Sequence, residues 1–170
     1  MLIELPTADE IDDLAITTPK LEVRKIELDF EGKADLNYAP CKGQIILAVR
    51  GAEGLALVRQ HGDKGWSLPS DRISSHEDIG KSARRVAKEQ CGLMLRSIEL
   101  AGIYDVIWHF TDVSIKRLHF VYAAHTDDGE CSPSRHNEVS EARFFREIPE
   151  DIKKDKICSY ALADCSQKQF

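Results

Sequence analysis

One stretch of the chain decides its fold: residues 66–93, which read WSLPSDRISSHEDIGKSARRVAKEQCGL. The second half of this stretch predicts a helix from Asp78 to Cys91. Gly92 follows where helices commonly end, because glycine adopts the left-handed backbone conformation at little cost. The apolar side chains of the segment recur at the helical period and share one face; they are Ile79, Ala83, Val86 and Ala87. The stretch therefore predicts a central helix that packs one face against the rest of the fold.

Strand-like segments lie on both sides of this predicted helix. Two apolar segments before it are separated by a short turn and predict a β-hairpin. Two longer segments after it predict a second pair of strands, and a terminal helix is predicted from Pro149 onward. Strands on both sides of one helix, followed by a final helix, predict an α/β sandwich with a mixed sheet. The predicted strands are 44–50, 55–60, 98–110, 115–124 and 141–145.

Residues 1–40 read as an N-terminal arm that precedes a domain over residues 41–170. Thr7 and Glu10 have the spacing of a capping box and predict a short helix in this arm. Residues 21–30 predict a strand whose alternation slips once, which indicates either a bulge or an edge strand. Two roles stay open for the arm: it adds a strand to the edge of its own sheet, or it crosses to a second subunit in a homodimer.

The composition narrows the classes of function. A chain of 170 residues suits one domain with a short appendage. Lys and Arg number 23 against 29 Asp and Glu, for a net charge of −6, which argues against a general nucleic-acid binder with a basic face. The longest apolar run, residues 45–49, is far shorter than the ~20 residues that span a bilayer, so we expect no membrane segment. Five cysteines without a C-x-x-C pair predict reduced thiols in a cytoplasmic protein.

The quoted stretch resembles the Nudix box, whose pattern is G-x5-E-x7-R-E-U-x-E-E-x-G-U, with U a bulky aliphatic residue. When Glu77 is placed on the first glutamate, Arg85 falls on the arginine and Glu89 on one of the late glutamates. The segment is similar to the box of the Nudix hydrolase superfamily in a degenerate form that runs from Asp71 to Leu93.

The segments that flank the box match the same family. Before the box stand a strand at residues 57–60 and the sequence Trp66-x-Leu68-Pro69, and after it stands the stretch 137–145, followed by Ile148-Pro149. The resemblance covers residues 43–160 in order and spacing. It implies the family's α/β/α sandwich with a mixed β-sheet, to which the arm is an addition.

The resemblance also implies a metal site that this chain carries only in part. In the family, three carboxylates lie at i, i+3 and i+4 on one helix face, where they hold Mg2+ or Mn2+ against the pyrophosphate of the substrate. The three positions here are Val86, Glu89 and Gln90. Val86 cannot ligate a metal, and Gln90 offers only a neutral carbonyl oxygen. Glu89 is therefore the one acidic metal ligand that remains, with Gln90 as a weak partner.

The other site residues are candidates with ordinary alternatives. In the catalytic interpretation Glu77 and Arg85 orient Glu89, whereas a structural ion pair or helix-dipole partner explains Glu77 and Arg85 without any metal and is favoured for them. For Glu89, a metal ligand and a solvated surface charge are equal alternatives. The further candidates could equally be surface charges or core anchors. They are Arg59, Trp66, Arg72 and Glu138 for substrate binding, Trp108 as a second aromatic platform, and Asp71, His76 and Asp78 as replacement metal ligands.

Two classes of function follow from this reading. The first is a hydrolase that uses Mg2+ or Mn2+ to cut the pyrophosphate of a nucleoside diphosphate derivative. The second is a catalytically silent domain, without a cofactor, that binds a nucleotide-like small molecule as a sensor or serves as a protein-interaction module. Val86 and Gln90 favour weak or absent pyrophosphohydrolase activity, because the charge that attracts a hard dication is largely missing.

Overall fold

A computed structural model describes residues 22–34, 43–74, 76–134, 138–152 and 155–166. Within these ranges the strands are β1 (Val23–Asp29), β2 (Gln44–Gly51), β3 (Gly54–Gln60), β4 (Ser70–Arg72), β5 (Leu95–His109), β6 (Ser114–Thr126) and β7 (Val139–Phe145). The helices are α1 (Ile79–Val86), which continues into a π-helical turn (Ala87–Cys91), and α2 (Lys156–Ser166). The short helix predicted near Thr7 lies outside the described residues. No helix within the described ranges is long and apolar enough to cross a membrane.

The strands of the described ranges form one mixed sheet in the order β1-β5-β6-β2-β3-β7, with β4 paired to β2. β1 runs parallel to β5, and β2 runs parallel to β6, while the remaining pairs are antiparallel. The mixed sheet predicted from the sequence is therefore confirmed. β1 is an edge strand that pairs with β5 of its own chain, from Val23 opposite Ile103 to Asp29 opposite His109 without a register shift. The edge-strand interpretation of residues 21–30 is confirmed, and the crossing to a second subunit stays a prediction.

Helices cover the sheet on both faces. α1 lies on one face, where Ala83 and Val86 pack with strand residues such as Phe120. α2 lies on the opposite face, where Ala161 packs with Tyr104 and its neighbours. These two layers of apolar side chains produce the α/β/α sandwich that the family resemblance implies, and that expectation is confirmed.

The central helix begins and ends where its local sequence predicts. The Asp78 carboxylate accepts a hydrogen bond from the Lys81 backbone amide at 2.7 Å, which caps the first turn. Gly92 ends the helix at φ 67°, and a side chain there would collide with the carbonyl of Ser132. The spacing of apolar residues does not predict the π-helical turn at residues 87–91.

The terminal helix begins later than predicted, at Lys156 rather than near Pro149. Asp155 sets this start, because its carboxylate accepts a hydrogen bond from the Cys158 backbone amide at 2.7 Å. The segment before Asp155 is not helical where the structure describes it, and Ile152 forms an isolated bridge with Trp66.

Candidate functional site

Arg85, in the last turn of α1, brings together the charged residues of the box. Its Nε donates to both carboxylate oxygens of Glu77 at 2.8 and 3.1 Å, and its Nη2 donates to the carbonyl of Arg72 at 2.8 Å. Its Nη1 reaches the carboxylates of Asp71 at 3.1 Å and Glu89 at 3.2 Å. We call Arg85 and these three carboxylates the Arg85 cluster. The structure thus places the predicted catalytic residues Glu77, Arg85 and Glu89 in contact.

The charges of this cluster stabilise one another. Burial alone would raise the pKa of Glu77, but hydrogen bonds from Arg85 and Ser74 outweigh it and hold this pKa below its usual value. Burial likewise lowers the pKa of Arg85, and the hydrogen bonds to Glu77 and Asp71 overcome that effect and raise it. Both side chains therefore stay ionised at neutral pH.

Two of the three box positions that carry metal ligands in the family are occupied here by side chains that pack or hydrogen-bond within the fold. Val86 is fully buried and belongs to the core between α1 and the sheet. Gln90, in the π-helical turn, is 8% exposed and makes two hydrogen bonds to the backbone of Ser70. Its Nε2 donates to the Ser70 carbonyl at 2.6 Å, and its Oε1 accepts from the Ser70 amide at 3.2 Å. We call this pair of bonds the Gln90 clasp.

The residues present do not fit the divalent metal centre that the family implies. Mg2+ requires several oxygen ligands in near-octahedral geometry. Val86 has no donor atom, the Gln90 carbonyl oxygen accepts the Ser70 amide, and the Glu89 carboxylate pairs with Arg85. Over the described ranges, no group of three or more His, Cys, Asp or Glu side chains is placed to hold a metal ion.

The residues proposed as replacement ligands have separate surroundings. Asp71 pairs with Arg85 at 3.1 Å, Asp78 caps α1, and His76 is exposed. They do not form a ligand group within the part of the chain that the structure describes.

Two of the predicted substrate-binding residues stack on each other. Trp66 is 3% exposed, and the Arg59 guanidinium lies 4.3 Å from the centre of its ring. Arg143 lies 5.1 Å from the same centre, and Phe145 meets the indole edge-to-face at 4.8 Å. Arg59 also pairs with Glu141 at 3.4 Å. A packing role is visible for this stack, and its role in substrate binding stays a prediction.

The other two predicted substrate-binding residues, Arg72 and Glu138, are exposed. The backbone carbonyl of Arg72 accepts from Arg85, while that of Glu138 accepts from the His61 amide at 2.9 Å. Neither side chain lines the cavity that opens near the start of α2.

A cavity of about 320 Å3 opens on the α2 side of the sheet, near the start of that helix. Its size lies at the lower end of the range for small-molecule sites. Ser70 of β4 forms part of its wall, so the cavity adjoins the strand that Arg85 and Gln90 hold. The described lining residues are Leu28, Phe30, Gln44, Ile46, Gln60, Ser67, Leu68, Ser70, Trp108, His119, Asp155, Ile157 and Cys158.

Two rings give this cavity an aromatic wall. Trp108 and His119 lie with their ring centres 5.4 Å apart and their planes inclined by 59°. Burial lowers the pKa of His119 to about 4, so its imidazole is neutral at neutral pH. Asp155 is the one charged side chain among the described lining residues. The cavity is thus suited to an uncharged planar group.

Part of this cavity was indicated by the sequence. Trp108 was a candidate as an aromatic platform, whereas His119, Gln44 and Ser70 were missed. One signal was present, because Arg117 and His119 stand at alternate positions of β6, directly before its apolar run at residues 120–124, and share its α2 face. Buried polar residues in such a strand mark either an internal network or a ligand wall.

The chain belongs to the NUDIX domain family, whose model matches residues 41–157. It is 24% identical over 111 residues to the protein named "Putative 8-oxo-dGTP diphosphatase YtkD" of Bacillus subtilis, and the match covers 65% of this chain and 67% of that protein. A structure of a mutant of the Bacillus subtilis pyrophosphohydrolase BsRppH superimposes with a TM-score of 0.60 at 19% identity, over 79% of this chain and 87% of that one. The NUDIX domain of Shewanella oneidensis NrtR, solved with ADP ribose, has a TM-score of 0.51 at 14% identity and covers 66% of this chain and 78% of its own.

Proposed function

We propose that this chain is a Nudix-fold protein that binds a nucleoside diphosphate derivative and hydrolyses its pyrophosphate weakly or not at all. One observation carries the proposal: Val86 and Gln90, which occupy two metal-ligand positions of the box, are committed to the core and to the Gln90 clasp. The remaining acid, Glu89, pairs with Arg85.

The ligand class rests on the cavity and on the relatives. The names of similar proteins specify 8-oxo-dGTP and ADP ribose, both of which join an aromatic base to a chain of phosphates. The aromatic wall of Trp108 and His119 matches the base of such a ligand, because stacking on an aromatic ring suits any flat heterocycle.

The expectation of weak hydrolysis rests on the carboxylates that are available to hold a divalent cation. A divalent cation in this class of enzyme neutralises the developing charge on phosphate, and it is held by several carboxylates acting together. In this chain the three carboxylates of the Arg85 cluster are engaged by one guanidinium, and over the described ranges they do not form a group placed to hold a metal ion. Residues of this chain would therefore bind and orient the ligand more readily than they would activate it.

The test measures binding and turnover separately. The intact chain is titrated with ADP ribose in EDTA while tryptophan fluorescence is recorded, and turnover is assayed with Mg2+ and with Mn2+. The chain has two tryptophans. We expect the ligand to quench Trp108 in the Trp66→Phe variant, whereas a response of Trp66 in the Trp108→Phe variant would show that the Arg59–Trp66 stack also contacts the ligand.

Turnover decides between the two classes of function. We expect hydrolysis close to the uncatalysed background, with little further change in Glu89→Gln. Binding without any hydrolysis would identify a silent ligand-binding domain. Rapid hydrolysis that Glu89→Gln abolishes would show instead that the chain is a metal-dependent pyrophosphohydrolase and would refute the proposal.

A further inference from the structure

Gln90 makes a closed pair of hydrogen bonds with a single residue of the backbone. The Ser70 carbonyl accepts from Nε2 at 2.6 Å, and the Ser70 amide donates to Oε1 at 3.2 Å. Ser70 thus presents one acceptor and one donor, and a side-chain amide matches both at once. Since a carboxylate has acceptors only, it would leave the Ser70 carbonyl facing a negative charge.

The clasp acts on a short strand that pairs with one other strand, β2. β4 comprises Ser70–Arg72 and pairs with the beginning of β2, opposite Gln44–Ile46. Gln90 holds the first residue of β4, and Arg85 holds the carbonyl of the last one at 2.8 Å. Two side chains from the helical segment therefore fasten both ends of the strand.

The Gln90 clasp holds a residue that lines the cavity. Ser70 lines the cavity beside Leu68 and Ile46, whereas Gln90 does not line it. A shift of Ser70 would therefore change the shape of the wall without removing any ligand contact made by Gln90. At a preformed site, a loss of order in the wall lowers affinity.

We propose that Gln90 is a positioning residue that fixes the Ser70 wall of the ligand cavity, so that the site is ordered by a side-chain amide in the absence of a divalent cation. This inference rests on the proposed function for the location of the ligand. It gives Gln90 a role that differs from metal ligation, because its carbonyl oxygen is directed to a backbone amide.

Two variants of the intact chain test the role of Gln90. Gln90→Glu keeps the shape but loses the donor, whereas Gln90→Leu loses both hydrogen-bonding groups. A protonated glutamic acid regains a donor and an acceptor, so acidification should rebuild the clasp in Gln90→Glu alone. ADP ribose binding is measured by calorimetry in EDTA from about pH 8 down to about pH 5.

The expected results differ for the three proteins. At about pH 8 both variants should bind ADP ribose about tenfold more weakly than the natural chain, because a buried backbone group loses its partner. On acidification Gln90→Glu should recover most of this loss, because burial at this position raises the pKa of the introduced carboxyl group, and Gln90→Leu should recover none. Gln90→Leu also controls for titration of the charged residues on the elements around the turn, which are Arg59, Asp71, Arg72, Lys81, Arg84, Arg85, Lys88, Glu89, Glu141 and Arg143.

Hydrogen exchange of the Ser70 amide gives a readout that needs no ligand. Exchange should be slow in the natural chain, fast in Gln90→Leu, and slow again in Gln90→Glu only at low pH after correction for intrinsic rates. If the natural chain does not bind ADP ribose, the proposed function fails, and the exchange data still decide whether Gln90 holds Ser70.

Two outcomes would overturn the inference. The first is equal Ser70 exchange in all three proteins, which would show that Gln90 does not order the wall. The second is tighter Mg2+ binding and undiminished ADP ribose affinity in Gln90→Glu at about pH 8, which would identify this position as a metal-ligand position after all.

Discussion

At His119 a titratable imidazole lies inside a cavity wall that is almost uncharged. Burial lowers its pKa from 6.5 to about 4, and the charge of Arg117 acts in the same direction. A histidine of this kind takes up a proton more readily in the unfolded chain than in the folded one. The folded protein is therefore destabilised wherever the unfolded chain is protonated at this residue and the folded chain is not.

We expect the free energy of unfolding to decrease as the pH falls from 6.5 to 4.5, with a slope that approaches about 1.4 kcal/mol per pH unit from this residue. The stability contributed by the neutral His119 is fully present above pH 6.5, and it is lost progressively as the pH falls toward about 4, the pKa of this histidine in the folded protein. Urea denaturation at a series of pH values measures it. Above pH 4.5, the ordinary pKa of Glu77, that carboxylate adds little to the slope.

The His119→Gln variant should lose most of this slope, because it keeps a polar side chain and removes the titration. His61→Gln changes an exposed histidine and should keep the slope of the natural chain. A slope that survives unchanged in His119→Gln would contradict the prediction.

At the scale of elements, the contact between α1 and β4 depends on ionic and hydrogen-bonding groups. Arg85 contacts Glu77, before the helix, as well as Asp71 and Arg72 on β4. The Arg85 and Glu77 side chains are each 22% exposed, so solvent screens them only in part. Removing the guanidinium leaves several carboxylates close together without their shared cation.

We expect Arg85→Met to lower the free energy of unfolding by about 2 kcal/mol, measured by chemical denaturation. Arg96→Met is the matched control, because Arg96 forms an ion pair with Asp127 at 2.8 Å in which both side chains are more than half exposed. The control should lose less than about 1 kcal/mol. Equal losses in the two variants would show that the Arg85 cluster is no stronger than an ordinary surface ion pair.

Local sequence signals predicted the elements that depend on local interactions. The central helix was predictable because Asp78, Gly92 and the apolar period all lie within it or at its ends. β4 was not predictable, because its three residues are fixed by β2 and by Arg85 and Gln90, which lie 13 and 20 residues from their backbone partners. The pairing of Arg85 with Glu77 was within reach of the sequence as a structural alternative, whereas the Gln90 clasp required the fold.

At the scale of the whole molecule, the cavity combines residues from distant parts of the chain. Leu28 comes from β1, Trp108 from β5 and His119 from β6, and Cys158 comes from α2. No rule of sequence spacing connects residues from four separate elements, so Trp108 alone among these four was a candidate from the sequence. Residues of the arm therefore line the cavity as well as forming the edge of the sheet, since Leu28 lies in β1 and Phe30 directly follows it.

Removal of residues 1–31 should weaken ADP ribose binding and cause self-association, because it takes away Leu28 and Phe30 and exposes the edge of β5. Calorimetry and sedimentation measure the two effects. A shorter truncation, of residues 1–20, keeps β1 and should preserve affinity and mass. A natural dimer that becomes a monomer after the longer truncation would show instead that the arm crosses to a second subunit.

The two altered box positions also shape the paths by which substitutions could restore an acidic metal site. Val86→Glu would put a carboxylate at a fully buried position, and Gln90→Glu would remove the donor that meets Ser70. We expect each of these substitutions alone to lower stability before it adds a useful ligand. A carboxylate-rich box in this chain would therefore require changes around both positions at the same time.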